Sequence, residues 1–291
     1  MERRAAGKRL IVTADDFGAA IEVNEAVEAG RRQGILRAAS LMVAGPAAAD
    51  AVRRARAMPS LAIGLHLVVI EGPSVLGPEA LPDLVDGAGQ FPSDQLRLGR
   101  GYFFRPRIRR QLAAEIRAQF AAFADTGLRL DHANAHKHMH LHPTVGRMMI
   151  DIGREYGLRA IRIPAEPPSV LGEPGAMLAD RTLFAWTRLL RRQARRAGLT
   201  TNDHCFGLRW TGGMTSERLV RLARALPEGV TEIYLHPAAW RDKRLATLMP
   251  DYAQEAELAA LLAPEVGAAL AAGRARRIGG FAAIHTDGLA P

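Results

Sequence analysis

The 291-residue sequence contains a single cysteine, Cys205. No intrachain disulfide is possible, which fits a reducing compartment. Aromatic residues make up only 5% of the chain. Single-stranded nucleic acids are held largely by stacking on aromatic side chains, so no nucleic-acid partner is expected. No stretch approaches the roughly 20 apolar residues of a membrane-spanning helix. The first apolar run, Leu10 to Val12, is too short for the core of a secretory leader, and charged residues (Glu2, Arg3, Arg4, Lys8 and Arg9) surround its start. The expected location is the cytoplasm, with peripheral contact at the inner face of the membrane left open. Acidic residues are the scarcer charge: 30 Asp and Glu against 39 Lys and Arg leave a formal charge of +9. That excess favours an anionic neighbour. Oligomeric state has no signature in the composition.

What is present is an apolar fraction of 48%, enough for a sizeable core, arranged in short apolar runs alternating with helical patterns. Strands are expected at Leu10–Ala14, Ile35–Val43, Leu61–Leu67, within Leu128–His140, at Leu158–Ile163, at Val230–Leu235 and near Ile278–Ile284. Helical spacing falls between them, at Glu22–Gln33, Pro46–Ala57, Pro106–Ala124, Thr144–Tyr156, Arg181–Ala197, Ser216–Ala225 and Tyr252–Leu262. Alternation of this kind implies βαβ units and a parallel sheet. The expectation is one α/β domain over residues 1–291, built as a distorted (β/α) barrel, with a doubly wound open sheet as the alternative. Residues 71–101, rich in Gly and Pro, break the rhythm and read as an irregular, lid-like segment bordering a cleft. Phe91, Phe103 and Phe104 are its candidates for packing on an apolar part of a substrate. Pro164–Glu173 reads as a Pro-rich connection.

Several predicted strands end in chemistry-bearing residues. In parallel α/β folds the carboxyl ends of strands form the functional face. Asp15 and Asp16 stand where the first strand ends; Asp at such a position also serves as a helix N-cap. His66 closes Leu61-Ala62-Ile63-Gly64-Leu65, either as a ligand or as a satisfied core histidine. Five of the nine histidines lie between Asp131 and His142. In an extended strand His132, Asn134, His136, His138 and His140 share one face; a solvated histidine run is the bland alternative. His236 follows Tyr234-Leu235, where the same two readings apply. Arg162 is a charge inside Ile161-Arg162-Ile163-Pro164. It either pairs with a carboxylate such as Asp15 or extends its head to solvent. In the helical stretch from Arg181 to Arg196, Leu183, Trp186, Leu190 and Ala194 fall on one stripe, while Arg188, Arg192, Arg195 and Arg196 fall mainly on another. That pattern suits an interfacial helix on anionic lipid and equally a barrel helix packing its apolar stripe inward.

Taken in order, Asp15-Asp16-Phe17-Gly18, Gly64-Leu65-His66, His136-Lys137-His138-Met139-His140 and Leu235-His236-Pro237 resemble the YdjC-like carbohydrate deacetylase family. Within it the chain is most similar to the deacetylases associated with hopanoid biosynthesis. That likeness is carried by Val12-Thr13-Ala14-Asp15-Asp16-Phe17-Gly18, by Ala39-Ser40-Leu41-Met42-Val43-Ala44-Gly45-Pro46-Ala47-Ala48, by Asn134-Ala135-His136-Lys137-His138 and by Phe103-Phe104-Arg105-Pro106. The resemblance implies a fold like that of NodB-type polysaccharide deacetylases. It implies one divalent metal ion held by Asp16, His66 and His136, with Asp15 as base and His236 as acid. Arg162 would orient Asp15. Zn²⁺ suits two histidines and a carboxylate, and Mg²⁺ is a common assignment in the family. The implied reaction removes acetate from an N-acetylated amino sugar or glycolipid, of the N-acetylglucosaminyl-hopanoid type. Many relatives carry Asp where this chain has Asn134, so no carboxylate stands behind the ligands at that position. A metal-dependent phosphoesterase acting on an anionic substrate, and a non-catalytic sugar- or lipid-binding barrel, are the alternatives.

Overall fold

The structure, a computed structural model, describes residues 7–171 and 178–286. Glu2, Arg3 and Arg4, and the end of the expected Pro-rich connection at Gly172 and Glu173, lie outside the described residues. Nine strands form one sheet among those described. Across the sheet they run Thr200–Thr201, Ala160–Ile161, Leu130–Ala135, Ala62–Leu67, Ala38–Leu41, Lys8–Phe17, Gly229–Leu235 and His204–Phe206, with Arg276–Arg277 also pairing to Lys8–Phe17. Every pair in this sheet is parallel. Helices connect most successive strands, which is what parallel pairing requires. The α/β class and barrel architecture expected from the sequence are therefore what the chain forms, as a curled and incompletely closed barrel.

The inner strands read as apolar runs because both their faces are buried. Leu10, Ile11, Val12 and Ala14 have no exposed surface, nor do Leu65 and Leu67. The two ends of the sheet approach each other at Asn202. Its carboxamide accepts from the Ile163 N–H at 2.7 Å and donates to the Ile163 carbonyl at 2.8 Å. One buried side chain thus satisfies both backbone groups that a neighbouring strand would otherwise pair.

Three local departures from the sequence expectation have physical causes. The strand beginning at Leu130 ends at Ala135, and His136–Leu141 is a tight helical turn in which Lys137 and His138 adopt left-handed φ of 48° and 54°. Only His132 and Asn134 therefore share the strand face; both reach the Ser40 hydroxyl, at 3.1 and 2.9 Å. The expected strand at Ile278–Ile284 is replaced by Arg276–Arg277 and a short helix, Ala283–Thr286. The Asp131 carboxylate takes the Phe281 and Ala282 N–H groups at 2.9 and 3.0 Å, so those donors have a side-chain partner instead of a strand. Within residues 71–101, Gly72–Pro73 and Gln90–Phe91 pair as a small ribbon, and a helix begins at Gln95, capped by the Asp94 carboxylate on the Arg97 N–H. Phe91 is buried in the core, so it does not face a cleft as expected, whereas Phe103 and Phe104 are exposed. Leu190 and Ala194 of the Leu178–Arg196 helix are buried. That end of its apolar stripe packs inward, as a barrel helix does, while Leu183 and Trp186 are half-buried and Phe184 is exposed.

Candidate metal centre and catalytic cleft

The strand Lys8–Phe17 shifts register against Ala38–Leu41 between Ala14 and Phe17. At this bulge Asp16 takes a left-handed φ of 61°, a costly conformation for a side chain with a Cβ. The bulge sends the two adjacent carboxylates to different partners, and both are buried.

Asp16 faces two histidines from other strand ends. Its Oδ1 lies 3.2 Å from His66 Nε2 and 3.2 Å from His136 Nδ1, and these nitrogens are 3.3 Å apart. Ligands bonded at about 2.0–2.2 Å to a shared ion stand about 3.0–3.4 Å from one another, so the triangle has the size a divalent metal needs. The protonation pattern supports that reading. Asn134 Nδ2 donates to Asp15 Oδ1 at 3.1 Å and to the Ser40 hydroxyl at 2.9 Å. Its Oδ1 therefore faces His66 Nδ1, at 2.7 Å. A carbonyl oxygen only accepts, so Nδ1 carries the proton and Nε2 presents a lone pair. That lone pair meets the carboxylate of Asp16, neither of whose oxygens has a hydrogen-bond partner. Two buried acceptors in contact call for a cation between them. Burial pushes the Asp16 carboxyl upward, but positive charge at the facing His136 position, from a proton or from a bound cation, holds it well below the usual carboxylate range. It is ionised, as a ligand must be. Among the described residues, these three form the single group of His, Cys, Asp and Glu side chains placed to share a metal ion.

Asp15 lies beside this triangle and is held differently. Arg162 Nη1 donates to its Oδ2 at 2.5 Å and Nη2 to its Oδ1 at 3.0 Å. Together with Asn134, this fills three of the roughly four acceptor positions of a carboxylate and leaves one open. Burial raises its pKa, but the Arg162 charge overrides that and keeps it ionised. Arg162 is fully buried, so its head does not reach solvent. Its other edge contacts Glu232, with Nε to Oε2 at 2.9 Å and Nη2 to Oε1 at 2.8 Å. Glu232 also accepts from the Thr13 hydroxyl at 2.7 Å. Sequence reasoning missed Glu232, although a glutamate inside Val230–Leu235 is the same signal as Arg162 inside its own apolar strand.

His236 is half-buried. Its backbone N–H donates to the Glu257 carboxylate and its ring packs 5.0 Å from Tyr252, while Nδ1 has no partner. His138 and His140 do not join the metal triangle. His138 Nε2 meets the Tyr234 hydroxyl at 2.8 Å, and His140 Nε2 lies 3.1 Å from the Arg162 carbonyl. Burial, reinforced by the Arg162 charge, lowers the His140 pKa to about 3. A cavity of about 630 Å³ opens in front of His136, lined also by Lys137, Glu71, Gln90 and Tyr252. Glu71 and Lys137 form an ion pair at its edge. The Gly72–Pro73 ribbon thus borders the same cleft as the metal triangle.

The profile of the YdjC-like protein family matches residues 9–272. A carbohydrate deacetylase of Geobacillus stearothermophilus is 30% identical over 264 residues, covering 90% of this chain and 92% of that one. A carbohydrate deacetylase of Brevibacillus brevis is 34% identical over 164 residues, covering 56% of this chain and 61% of that protein's length. Among solved structures, an Enterococcus faecalis protein proposed to be a cellobiose-phosphate cleavage protein superposes with a TM-score of 0.70 at 22% identity, covering 94% of this chain and 97% of that one, which is a likeness of fold. On the extent of the profile match and of the Geobacillus alignment, the chain belongs to the YdjC-like protein family.

Proposed function

We infer that the chain is a carbohydrate deacetylase, a hydrolase acting on the amide of an N-acetylated sugar, and we propose that it is metal-dependent through Asp16, His66 and His136. The carrying observation is the Asp16 carboxylate: buried, ionised and without a hydrogen bond, it faces a histidine lone pair across 3.2 Å. The activity in the names of the Geobacillus and Brevibacillus relatives supports the reaction class. A divalent ion at this triangle supplies Lewis acidity toward an amide carbonyl and acidifies a water.

The protein's own groups divide the remaining work. Asp15, held rigid by Arg162 and Asn134, keeps one acceptor position open to take a proton from a water in the cleft. Glu232 shares the Arg162 charge, so that Arg162 orients Asp15 without being neutralised by it alone. His236, half-buried with its ring 5.0 Å from Tyr252 of the cleft wall, is assigned the proton delivered to the departing amine. Glu71, Lys137, Gln90 and Tyr252 would line the sugar site. The whole chain is read as one catalytic unit with residues 71–101 bordering its cleft. We extend the substrate to a lipid-linked N-acetylated amino sugar of the glycosylated-hopanoid type, met at a membrane surface. The sequence resemblance supports that extension, as does the apolar groove beside Lys137, which is lined by Phe103 and Trp186. The phosphoesterase alternative would need a second metal cluster, and none exists among the described residues.

The test is acetate release from a soluble N-acetylglucosaminide, comparing the native protein with Asp15→Asn and His236→Ala. Both variants should keep the metal and lose about 10²–10⁴ in rate. Full turnover in Asp15→Asn would remove Asp15 from the role of base.

A further inference from the structure

Three large apolar side chains are far more exposed than the rest: Leu96 at 81%, Phe104 at 78% and Phe184 at 61%, against at most 46% for any other described residue of that kind. All three sit on two adjoining helices, Gln95–Phe104 and Leu178–Arg196. The helices meet where the Phe103 ring lies 6.2 Å from Trp186 and 5.7 Å from Phe104. Leu96, Phe103, Leu183 and Trp186 line one groove of about 540 Å³, and Phe104 and Phe184 each directly follow one of these residues in the chain, so the exposed side chains flank it as an apolar rim. The inward stripe of the second helix, with Leu190 and Ala194, is already satisfied by the core. The rim therefore consists of residues that the fold does not use.

Around this rim positive charge predominates, with Asp83 and Asp94 on one flank beside Leu96 and Phe104. Residues 95–110 contain Arg97, Arg100, Arg105, Arg107, Arg109 and Arg110 and no acidic residue, and residues 183–196 contain five arginines and no acidic residue. Arg107 is paired with Asp83. Arg97, Arg100, Arg105, Arg188, Arg192 and Arg195 are exposed, and Arg188 lies 5.9 Å over the Phe184 ring. Bulky apolar side chains interleaved with arginine suit the bilayer interface, where the rings enter the acyl boundary and the guanidiniums meet lipid phosphates. A soluble acidic partner would match the charge but would leave unexplained why Leu and Phe protrude among the arginines. The groove also leads toward the chemistry, because Lys137 lines both it and the cleft in front of His136.

We propose that the outer faces of these two helices, centred on Leu96, Phe104 and Phe184, dock on an anionic lipid bilayer with the groove mouth against the membrane. The inference deepens the lipid-linked reading of the substrate, but its test needs neither substrate nor turnover.

The probe is sedimentation of the full chain with vesicles of phosphatidylcholine alone, or with about one-third phosphatidylglycerol to give a negative surface. Binding should require the anionic lipid and should weaken in about 0.5 M salt, where screening shortens the reach of charge to a few ångströms. Leu96→Ser, Phe104→Ser and Phe184→Ser should each weaken it about tenfold, from the apolar area no longer buried. Arg97→Gln with Arg188→Gln should weaken it by about five-fold per arginine, and this second set keeps the test valid if a serine variant misfolds. Acetate release from a soluble glycoside should be unchanged in Phe184→Ser and in the Arg97→Gln/Arg188→Gln pair. Equal binding to neutral and anionic vesicles overturns the proposal, as does binding indifferent to the substitutions. Self-association in the absence of lipid that the serine variants abolish also overturns it, because the rim would then seat a second copy of the chain. Failure of the deacetylase reading would appear separately, as absent acetate release from the soluble glycoside with vesicle binding intact.

Discussion

Replacing Arg162 with methionine keeps most of the side-chain volume but removes the one cation between two buried carboxylates. In the native chain Arg162 makes four charge-assisted hydrogen bonds, two to Asp15 and two to Glu232. Without it Asp15 and Glu232 are buried with no counter-ion, and an uncompensated buried charge typically costs about 3–5 kcal/mol. For a chain of this size a urea m-value of about 3 kcal/mol/M turns that into a midpoint lower by about 1–2 M. The pH dependence also reverses. The orphaned carboxylates are driven above their unfolded pKa values, so the folded variant binds a proton that the unfolded chain releases. Relative to the native chain, its stability should therefore rise as the pH falls from 8 toward about 5. Adding Glu232→Gln removes one of the two orphaned charges and should recover about half of the loss. The assay is urea unfolding followed by circular dichroism at several pH values, with metal content measured alongside, because the metal triangle does not include Arg162. A loss under about 1 kcal/mol, or an unchanged pH slope, would refute the assignment of Arg162 as the counter-ion of this pair.

Two further outcomes follow from the same geometry. Asn134→Leu removes the acceptor that fixes the His66 tautomer, so metal affinity should fall about 10–100-fold while the fold is kept; competition with a chelator of known affinity reads this directly, and unchanged affinity would show that Asn134 does not orient the ligand. His140 titrates at about 3 when folded. Above pH 6.5 both states are neutral there; below it the unfolded chain binds a proton that the folded chain refuses, so stability should fall by about 2 kcal/mol by pH 5 from this side chain. Urea titrations of the chelated protein across that range should show the slope, and His140→Gln should reduce it, the remainder coming from His138, whose pKa burial also lowers.

Much of the site was legible in the sequence because a parallel barrel gathers strand ends, and Asp15, Asp16, His66 and His236 each stand at the end of a recognisable apolar run. Arg162 was legible for the same reason, as a charge where the pattern demanded an apolar residue. The histidine run was misread beyond Ala135 because alternation is only a statement about extended backbone. The left-handed residues Lys137 and His138 turn the chain and send His138 and His140 to separate partners. Nothing in a period-two pattern marks such a turn for non-glycine residues. The strands Thr200–Thr201 and His204–Phe206 were missed because two or three residues, several of them polar, carry no periodicity. The closing role of Asn202 is a tertiary hydrogen-bond pattern with no local signature. Asn134, read in the sequence as a strand-face residue and as a missing carboxylate, holds His66 through its carbonyl oxygen while donating to Asp15. An aspartate there would place a second carboxylate against Asp15.

The most direct test of the metal assignment measures bound metal and acetate release together in the native chain and in Asp16→Ala, His66→Ala and His136→Ala. The native protein should hold one equivalent of a divalent ion and lose activity on chelation, with recovery when the ion is returned. Each variant should lose ion and activity together while keeping its far-ultraviolet circular dichroism. A variant that still holds one equivalent of metal, or acetate release that survives chelation, would contradict the assignment.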